Sequence, residues 1–251
     1  MMTLVRIMIT IILTMCVGLA SAQETTIVAA ASEAAEGLDL QAVGELFKEA
    51  ENLEAFEKSL NDPDVGVNNL DLDDNGEVDY ICVVDQVYDE THVIILQVPL
   101  GEDEYQDVAT IEVEKINDEE YNMQVHGNDD IYGENYYVAP SVVHIHTWPI
   151  ITWMYRTAYR PYVSVYRFGH YPRWWRRRAP VKVNVYHTRI VKYTRRPTFV
   201  VTRTGRIRHV HRIKYKPRSS TLVRKTTVVR RPGGKVVKKT TVKKRPARRK
   251  R

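Results

Sequence analysis

Apolar residues recur at steps of three and four positions between Leu38 and Asn61, which is the spacing of one face of an α-helix. Asp39 stands at the start of this run as a candidate N-cap, and Pro63 follows it as a stop. Gly44 and Asn52 are poor helix formers that can interrupt the run. The pattern therefore predicts one amphipathic helix with a short first part and a firmer second part.

Beyond this helix the pattern changes to alternating positions and to runs of β-branched residues, which are typical of strands. The predicted strands cover residues 78–85, 92–100, 108–116 and 121–126. The second is almost entirely apolar, as expected for a strand in the middle of a sheet. We therefore expect an α+β fold over residues 38–140, with one helix packed on a small antiparallel sheet of about four strands.

The regular pattern is lost after Pro140. Residues 142–154 are apolar enough for a final strand or docking segment, but residues 155–175 mix aromatic side chains with Arg and Pro without a stable period. Further on, short Val/Thr runs alternate with basic clusters, and a stretch that begins at Lys225 recurs 14 residues later. Such a composition buries little apolar surface by itself. We expect residues 141–251 to be a largely disordered basic, aromatic tail that becomes ordered only against an anionic partner.

Charge is divided between the same two parts of the chain. All 31 Asp and Glu residues lie at or before Glu134, whereas 33 of the 37 Lys and Arg residues follow Pro140. Residues 23–140 thus carry 31 acids against three lysines, a net charge of −28, and residues 141–251 carry +33. This change of sign predicts a boundary between two units, which either neutralise each other or bind different partners.

The first 22 residues have the features of a secretory signal peptide: Arg6, a mostly apolar run over residues 7–19, and a small-residue cleavage motif that ends at Ala22. We therefore expect an exported protein of the periplasm or outer cell surface, with a linker over residues 23–37. Cys82 would be the only cysteine after cleavage, so no intramolecular disulfide could form. We expect it to be a small buried hydrophobe on a strand; an exposed thiol that bridges two chains is the alternative.

An acidic loop of the form D-x-D-x-[DN]-G-x-x-D separates the predicted helix from the first strand and has the ligand spacing of an EF-hand-like calcium loop. Position twelve, where an EF-hand has a bidentate Glu, is Cys82, and a strand follows instead of a helix. The loop is therefore more similar to the calcium loops of β-rich extracellular repeats. The expected ligands are the side chains of Asp71, Asp73, Asn75 and Asp79 and the backbone carbonyl of Glu77.

We expect calcium to bind this loop weakly, with a dissociation constant of about 10⁻⁴–10⁻³ M, and to brace the fold permanently rather than switch it. A further oxygen could come from Asn69 or Asp85. The alternative is a plain polar turn, since Asn-Gly is a strong hairpin signal.

Residues 53–140 also show a looser resemblance to exported domains of unknown function from Gram-negative bacteria. The resemblance rests on the helix end Leu60-Asn61, on Asn68-Asn69-Leu70-Asp71 with the glycine loop, on Asp79-Tyr80-Ile81, on the stretch from Gln106 to Ile111, and on Tyr132-Gly133 before Pro140. It implies an exported location and a domain edge near Pro140. It implies no activity.

The basic tail is the second candidate site, because Arg next to stacking rings can bind polyanions. We expect its partners to be anionic envelope polymers or lipid head groups; nothing indicates sequence-specific nucleic-acid recognition. The alternative is that the tail folds back on the acidic domain of its own chain or of a neighbour. The expected polyanion-binding residues are Arg173, Trp174, Trp175, Arg176, Arg177, Arg178, Lys243, Lys244, Arg245, Arg248, Arg249, Lys250 and Arg251.

Other chemistry has less support. His144 and His146, like a second pair at His209 and His211, could capture zinc or copper, but no cysteine or carboxylate lies beside them in sequence. No catalytic motif is present, so we do not expect an enzyme. The sequence favours an exported, non-enzymatic binding protein whose calcium-braced acidic domain carries a cationic tail. A structural protein that self-assembles through acidic-to-basic contacts between chains is the alternative.

Overall fold

The computed structural model describes residues 34–142, 144–195, 197–207 and 216–219, and the backbone of residues 224–230 and 236–242. The expected signal peptide, most of the expected linker, and the basic residues from Lys243 to Arg251 lie outside this range. We call residues 34–142 the acidic segment and residues 144–207 the basic segment.

The single helix predicted from the sequence is two helices. A short 3-10 helix, Ala34–Gly37, precedes α1 (Leu40–Glu49), and α2 (Leu53–Asn61) follows after a break at Ala50. Asp39 caps α1, as predicted, by accepting the amides of residues 41 and 42 at 2.8 and 3.1 Å. Asn52 causes the break, because its side chain caps α2 by accepting the amide of residue 55 at 2.8 Å.

The sheet has six strands rather than about four. Its order is β1-β2-β3-β4-β5-β6, and neighbouring strands are antiparallel. All nine residues of β2 are buried, in agreement with its predicted central position. The strands are β1 (Cys82–Tyr88), β2 (Thr91–Pro99), β3 (Tyr105–Lys115), β4 (Tyr121–Gly127), β5 (Tyr137–Pro140) and β6 (Phe199–Thr202).

The last strand comes from the part of the chain that was expected to be a tail. β6 pairs with β5, and between them lie a 3-10 helix, Ile145–Thr147, and the helices α4 (Pro149–Met154) and α5 (Val183–Thr194). The short helix α3 (Asp129–Tyr132) precedes β5. Two further strands, β7 (Arg224–Arg230) and β8 (Val236–Val242), form a separate antiparallel pair.

One hydrophobic core contains residues from both the acidic and the basic segment. Trp148, Ile150, Tyr186, Ile190 and Phe199 are buried in it together with the helices and strands of the acidic segment. The expectation of a largely disordered tail is therefore wrong for residues 144–195 and 197–207, and Pro140 does not separate two packed units there. The physical reason is that a few large side chains complete a core that another part of the chain supplies. The basic segment thus folds back on the acidic segment of its own chain.

Cys82 is buried, as predicted. Its thiol packs with Tyr80 and Trp175. Within the described residues, no helix is both long enough and apolar enough to cross a membrane.

Candidate metal centre and basic surface

Two buried asparagines hold the ends of the acidic loop together. The Asn61 side chain, at the end of α2, bonds both the amide and the carbonyl of Ile81, each at 2.8 Å. The Asn68 side chain donates to the carbonyl of Asp79 at 2.7 Å and to the Asn61 side chain at 3.2 Å. These contacts place both ends of the loop beside each other, which the sequence pattern did not show.

Three of the predicted ligands come together in this loop. Asp71, Asp73 and Asp79 each offer a carboxylate oxygen within 4.8 Å of the others. The amides of Asn75 and Gly76 donate to Asp71, each at 3.0 Å. Gly76 has φ +82°, which glycine adopts easily and other residues rarely do. An all-oxygen, carboxylate-rich set of this size fits a hard divalent cation.

The other predicted ligands are arranged differently. The side-chain oxygen of Asn75 accepts a hydrogen bond from the backbone amide of Glu77 at 2.8 Å, so it stabilises the turn. The Glu77 carboxylate forms an ion pair with Arg177 at 2.7 Å, and the role of its carbonyl as a ligand stays a prediction. Neither proposed extra oxygen is in place: Asn69 bonds the backbone of Val181, and Asp85 bonds His92.

The loop concentrates negative charge in a partly buried place. Burial, with smaller contributions from the neighbouring Asp73 and Asp71, raises the pKa of Asp79 to about 7. Burial also raises the pKa of Asp71, and the charges of Asp73 and Asp74 add to that effect. A bound cation would relieve this repulsion and stabilise the ionised carboxylates.

Part of the predicted polyanion site lies directly against the acidic loop. The amide of Val78 donates to the carbonyl of Arg178 at 2.7 Å, and the Arg178 guanidinium donates to the carbonyl of Asn68 at 2.8 Å. Together with the Arg177–Glu77 ion pair, these contacts hold the basic segment to the loop. No pattern in the sequence indicates that the two candidate sites are neighbours.

The predicted polyanion-binding residues divide into structural and exposed ones. Trp175 is only 8% exposed and packs against Tyr80 and Tyr171, and Arg178 is half-buried. Arg173, Trp174, Arg176 and Arg177 are exposed. A cleft of about 130 Å³ is lined by residues of both this region and the acidic loop, including Asp73, Asp79, Phe168, Tyr171, Trp175 and Arg177.

Hydroxyl groups of the basic segment bind buried carboxylates of the acidic segment. Glu57 accepts the hydroxyls of Ser164 and Tyr162 at 2.8 and 3.2 Å, as well as that of Tyr80 at 2.9 Å and the amide of Val83 at 2.9 Å. Burial raises the pKa of Glu57.

Asp85 is bound in the same way, by the Tyr159 hydroxyl at 2.6 Å and by His92 at 2.9 Å. Glu57 was not singled out from the sequence, and Asp85 was considered only as a further calcium ligand, because a tyrosine far along the chain shows no spacing relative to its acid.

The cations of the basic segment stay at the surface. Of its thirteen described Lys and Arg side chains, twelve are exposed and Arg178 is half-buried. Burying a guanidinium costs more than burying a phenol ring, whose single hydroxyl can be satisfied by one acceptor. Most of the positive charge of this segment is therefore exposed to solvent, although Arg177 pairs with Glu77.

Of the remaining candidate residues, His209 and His211 lie outside the described part of the chain, and the described ones are not assembled into a site. His144 and His146 have ring centroids 5.8 Å apart, and among the described residues no cysteine or carboxylate joins them in a metal cluster. Burial raises the pKa of the Cys82 thiol to about 12, so it is protonated at neutral pH. Cys82 and His92 lie at opposite ends of the paired strands β1 and β2.

Comparison with protein-family models, with curated proteins and with solved structures finds no match.

Proposed function

We propose that this protein is an exported, non-enzymatic binding protein that attaches to anionic material of the cell envelope through its basic surface. The observation that carries the proposal is that hydroxyl groups of the basic segment bind the buried carboxylates Glu57 and Asp85, while twelve of its cations remain exposed, among them Arg177, which pairs with Glu77. A segment that needed its positive charge only for folding would place that charge against the 31 acids of the chain.

The chemistry of the exposed groups fits phosphate, sulfate or carboxylate groups of a polymer or a lipid. Guanidinium groups bind such anions with two parallel hydrogen bonds, and an exposed indole can stack on a flat or apolar part of the ligand. Arg173, Trp174 and Arg176 combine both kinds of group within four residues. Because the attraction is electrostatic, binding should weaken as salt is added.

Calcium has a structural role in this proposal. Asp71, Asp73 and Asp79 would hold the ion, and it would supply the positive charge that this loop lacks. With three protein carboxylates, the remaining coordination would be completed by water, which fits a weak extracellular type of site. The loop supports Arg177 and Arg178, so the ion would brace the position of the basic surface.

Binding to dextran sulfate, measured by isothermal titration calorimetry over a range of NaCl concentrations, tests the proposal. We expect the R173Q/R176Q variant to bind at least about fivefold more weakly, since about 0.5 kcal/mol or more is lost for each phosphate-type contact. The matched control is K192Q/R195Q, which removes the same charge from two exposed positions at the end of α5.

Equal affinities for the R173Q/R176Q and K192Q/R195Q variants would show that net charge alone drives binding and would contradict a defined surface. Binding that is unchanged between 50 mM and 500 mM NaCl would contradict an electrostatic mechanism.

A further inference from the structure

A strip of the basic segment runs along the free edge of the sheet. The amide of Ser164 donates to the carbonyl of Val83 at 2.9 Å, and the amide of Asp85 donates to the carbonyl of Tyr162 at 2.7 Å. Val163 forms an antiparallel bridge with Val84. We call residues 162–176 the edge strip.

Side chains of the edge strip alternate between the protein and the solvent. Tyr162 and Ser164 bind Glu57, and Tyr166 packs on Tyr80 with ring centroids 5.5 Å apart. Between them, Val163 and Val165 are 59% and 76% exposed. The inward side chains fix the strip, so the two valines are held in the solvent by a rigid backbone.

The strip then turns sharply and presents an aromatic side chain. Arg167 and His170 exchange backbone hydrogen bonds at 3.2 and 2.9 Å, and Gly169 has φ +74° within this turn. Phe168, at the tip, is 43% exposed. Tyr171 fixes the segment that leaves this turn by packing on Tyr80 and Trp175, at 5.5 and 4.6 Å between ring centroids.

Cations accompany these apolar side chains. Arg167, Arg173 and Arg176 are all exposed, and Trp174 is 38% exposed within the next turn. The edge strip thus combines outward-facing apolar groups, an amphipathic indole and three guanidinium groups. This composition is typical of segments that lie in the interface of a negatively charged membrane.

We propose that the edge strip is a membrane-contact site, which places Phe168 and Val165 in the interface of an anionic lipid bilayer while its arginines bind the lipid phosphates. The inference rests on the proposed function and identifies the anionic partner as a lipid surface. A soluble polyanion would bind the arginines and stack on the indole, but it offers no apolar environment to Val163 and Val165. Rigidly held apolar groups that water surrounds gain free energy on entering the acyl region.

Vesicle flotation tests the inference with the purified protein and with vesicles of phosphatidylcholine, either alone or with 30% phosphatidylglycerol. We expect V165S/F168S to lower the apparent partition coefficient on the anionic vesicles at least about fivefold, because burial of these two side chains is lost. The control is V191S/V200S, which alters two exposed valines in α5 and β6, 48% and 43% accessible. Both variants change exposed positions, so the fold should be retained.

Dextran sulfate separates the inference from the proposed function. We expect V165S/F168S to bind dextran sulfate like the unaltered protein. If V165S/F168S also floats with anionic vesicles like the unaltered protein, the inference is wrong, while salt-dependent dextran sulfate binding would still support the proposed function. If R173Q/R176Q binds both targets as well as K192Q/R195Q does, the proposed function is wrong.

The position of Trp174 gives a second measurement that does not depend on affinity. Lipids brominated in the upper part of the acyl chain quench indoles that enter the interface. We expect quenching in the unaltered protein and its loss in the W174F variant, in which the buried Trp148 and Trp175 and the half-buried Trp153 remain. Equal quenching of W174F, or none in the unaltered protein bound to vesicles, would contradict the inference.

Discussion

The acidic and basic segments share one core, but among the residues that the structure describes only the acidic segment buries charged side chains. Six carboxylates of the acidic segment are buried: Glu45, Glu57, Asp85, Asp107, Glu112 and Glu114. In the described part of the basic segment, no Lys or Arg is buried. The buried acids with named partners accept hydrogen bonds largely from neutral groups, such as Tyr159 on Asp85 and Gln124 on Glu112.

This difference shows that two parts of a chain with opposite net charge can be joined by interactions other than ion pairs. Ion pairs at a surface contribute little, whereas apolar burial and hydrogen bonds to buried carboxylates contribute more. The basic segment therefore uses Tyr, Trp, Ile and Phe to pack, and it keeps its arginines hydrated. Most of the positive charge of the basic segment therefore stays exposed to solvent, and we propose that it forms a binding surface.

The largest expected effect comes from the shared core. Phe199→Ala should lower the free energy of unfolding by about 3–5 kcal/mol, because a ring buried beside Gly44 and Trp148 is replaced by a cavity. Urea unfolding followed by circular dichroism measures it. The neighbouring exposed position, Val200→Ala, is the control and should change little. A loss below about 1 kcal/mol for F199A would mean that the basic segment is not part of the core.

Removing the acceptor at Glu57 should have the next largest effect. Glu57→Ala leaves the hydroxyls of Tyr80, Tyr162 and Ser164 and one amide without their acceptor, which should cost about 2–4 kcal/mol. The exposed Glu54→Ala on the same helix is the control. If both variants unfold at the same urea concentration, hydroxyl-to-carboxylate contacts do not hold the segments together.

Calcium should stabilise the protein by about 1.4 kcal/mol at a concentration ten times its dissociation constant. We expect the melting temperature to rise in millimolar calcium and this rise to disappear in Asp73→Asn, since the variant removes one of three clustered carboxylates. Asp103→Asn, at an exposed loop, should respond like the unaltered protein. An unaltered melting temperature in 10 mM calcium would favour the plain polar turn.

The raised pKa of Glu57 makes stability depend on pH in a definite direction. Since burial raises its folded pKa above the unfolded value of about 4.3, folding favours the protonated carboxyl. This contribution is fully present below the unfolded pKa and is lost as the pH rises through the folded pKa. The stability of the protein relative to Glu57→Gln should therefore fall with rising pH. A pH-independent difference, or one that grows with pH, would contradict a folded pKa that burial raises.

The ion pair between the segments should matter least. Arg177→Gln should lower the free energy of unfolding by about 0.2–1 kcal/mol, because both partners are largely hydrated. A double-mutant cycle with Glu77→Gln isolates the pair. A coupling energy above about 2 kcal/mol would contradict this comparison, since the ion pair would then stabilise the fold as much as the hydroxyl contacts with Glu57 do.

The assembly alternative can be separated from these effects by size. In the described residues, the contacts between the acidic and basic segments join parts of one chain. Light scattering should therefore give a mass that does not change with salt. Oligomers that grow at low salt and dissolve at high salt would support self-assembly between chains.

Local signals in the sequence predicted the local features of the fold. The cap at Asp39, the break at Asn52 and the central position of β2 follow from residue types and spacing. The carboxylates of Asp71, Asp73 and Asp79 were predicted by the loop spacing, and the structure brings them together.

The sequence could not predict how the basic segment packs. Phe199 and Tyr186 lie in short runs next to valines, and these runs are too short to show a period that marks core positions. Composition measures what a segment can bury by itself, whereas these side chains fill space left by helices and strands more than 100 residues earlier, as in the bond from Tyr186 to the carbonyl of Val67. The pairing of Tyr162 with Glu57 was hidden for the same reason.

The dependence of the unfolding free energy on NaCl tests the central claim most directly. If apolar burial and hydroxyl contacts join the segments, the free energy should change by less than about 1 kcal/mol between 0.05 and 0.5 M NaCl, while dextran sulfate binding weakens steeply over the same range. A loss of several kcal/mol of stability in step with that binding would show that charge holds the two segments together and would contradict the account.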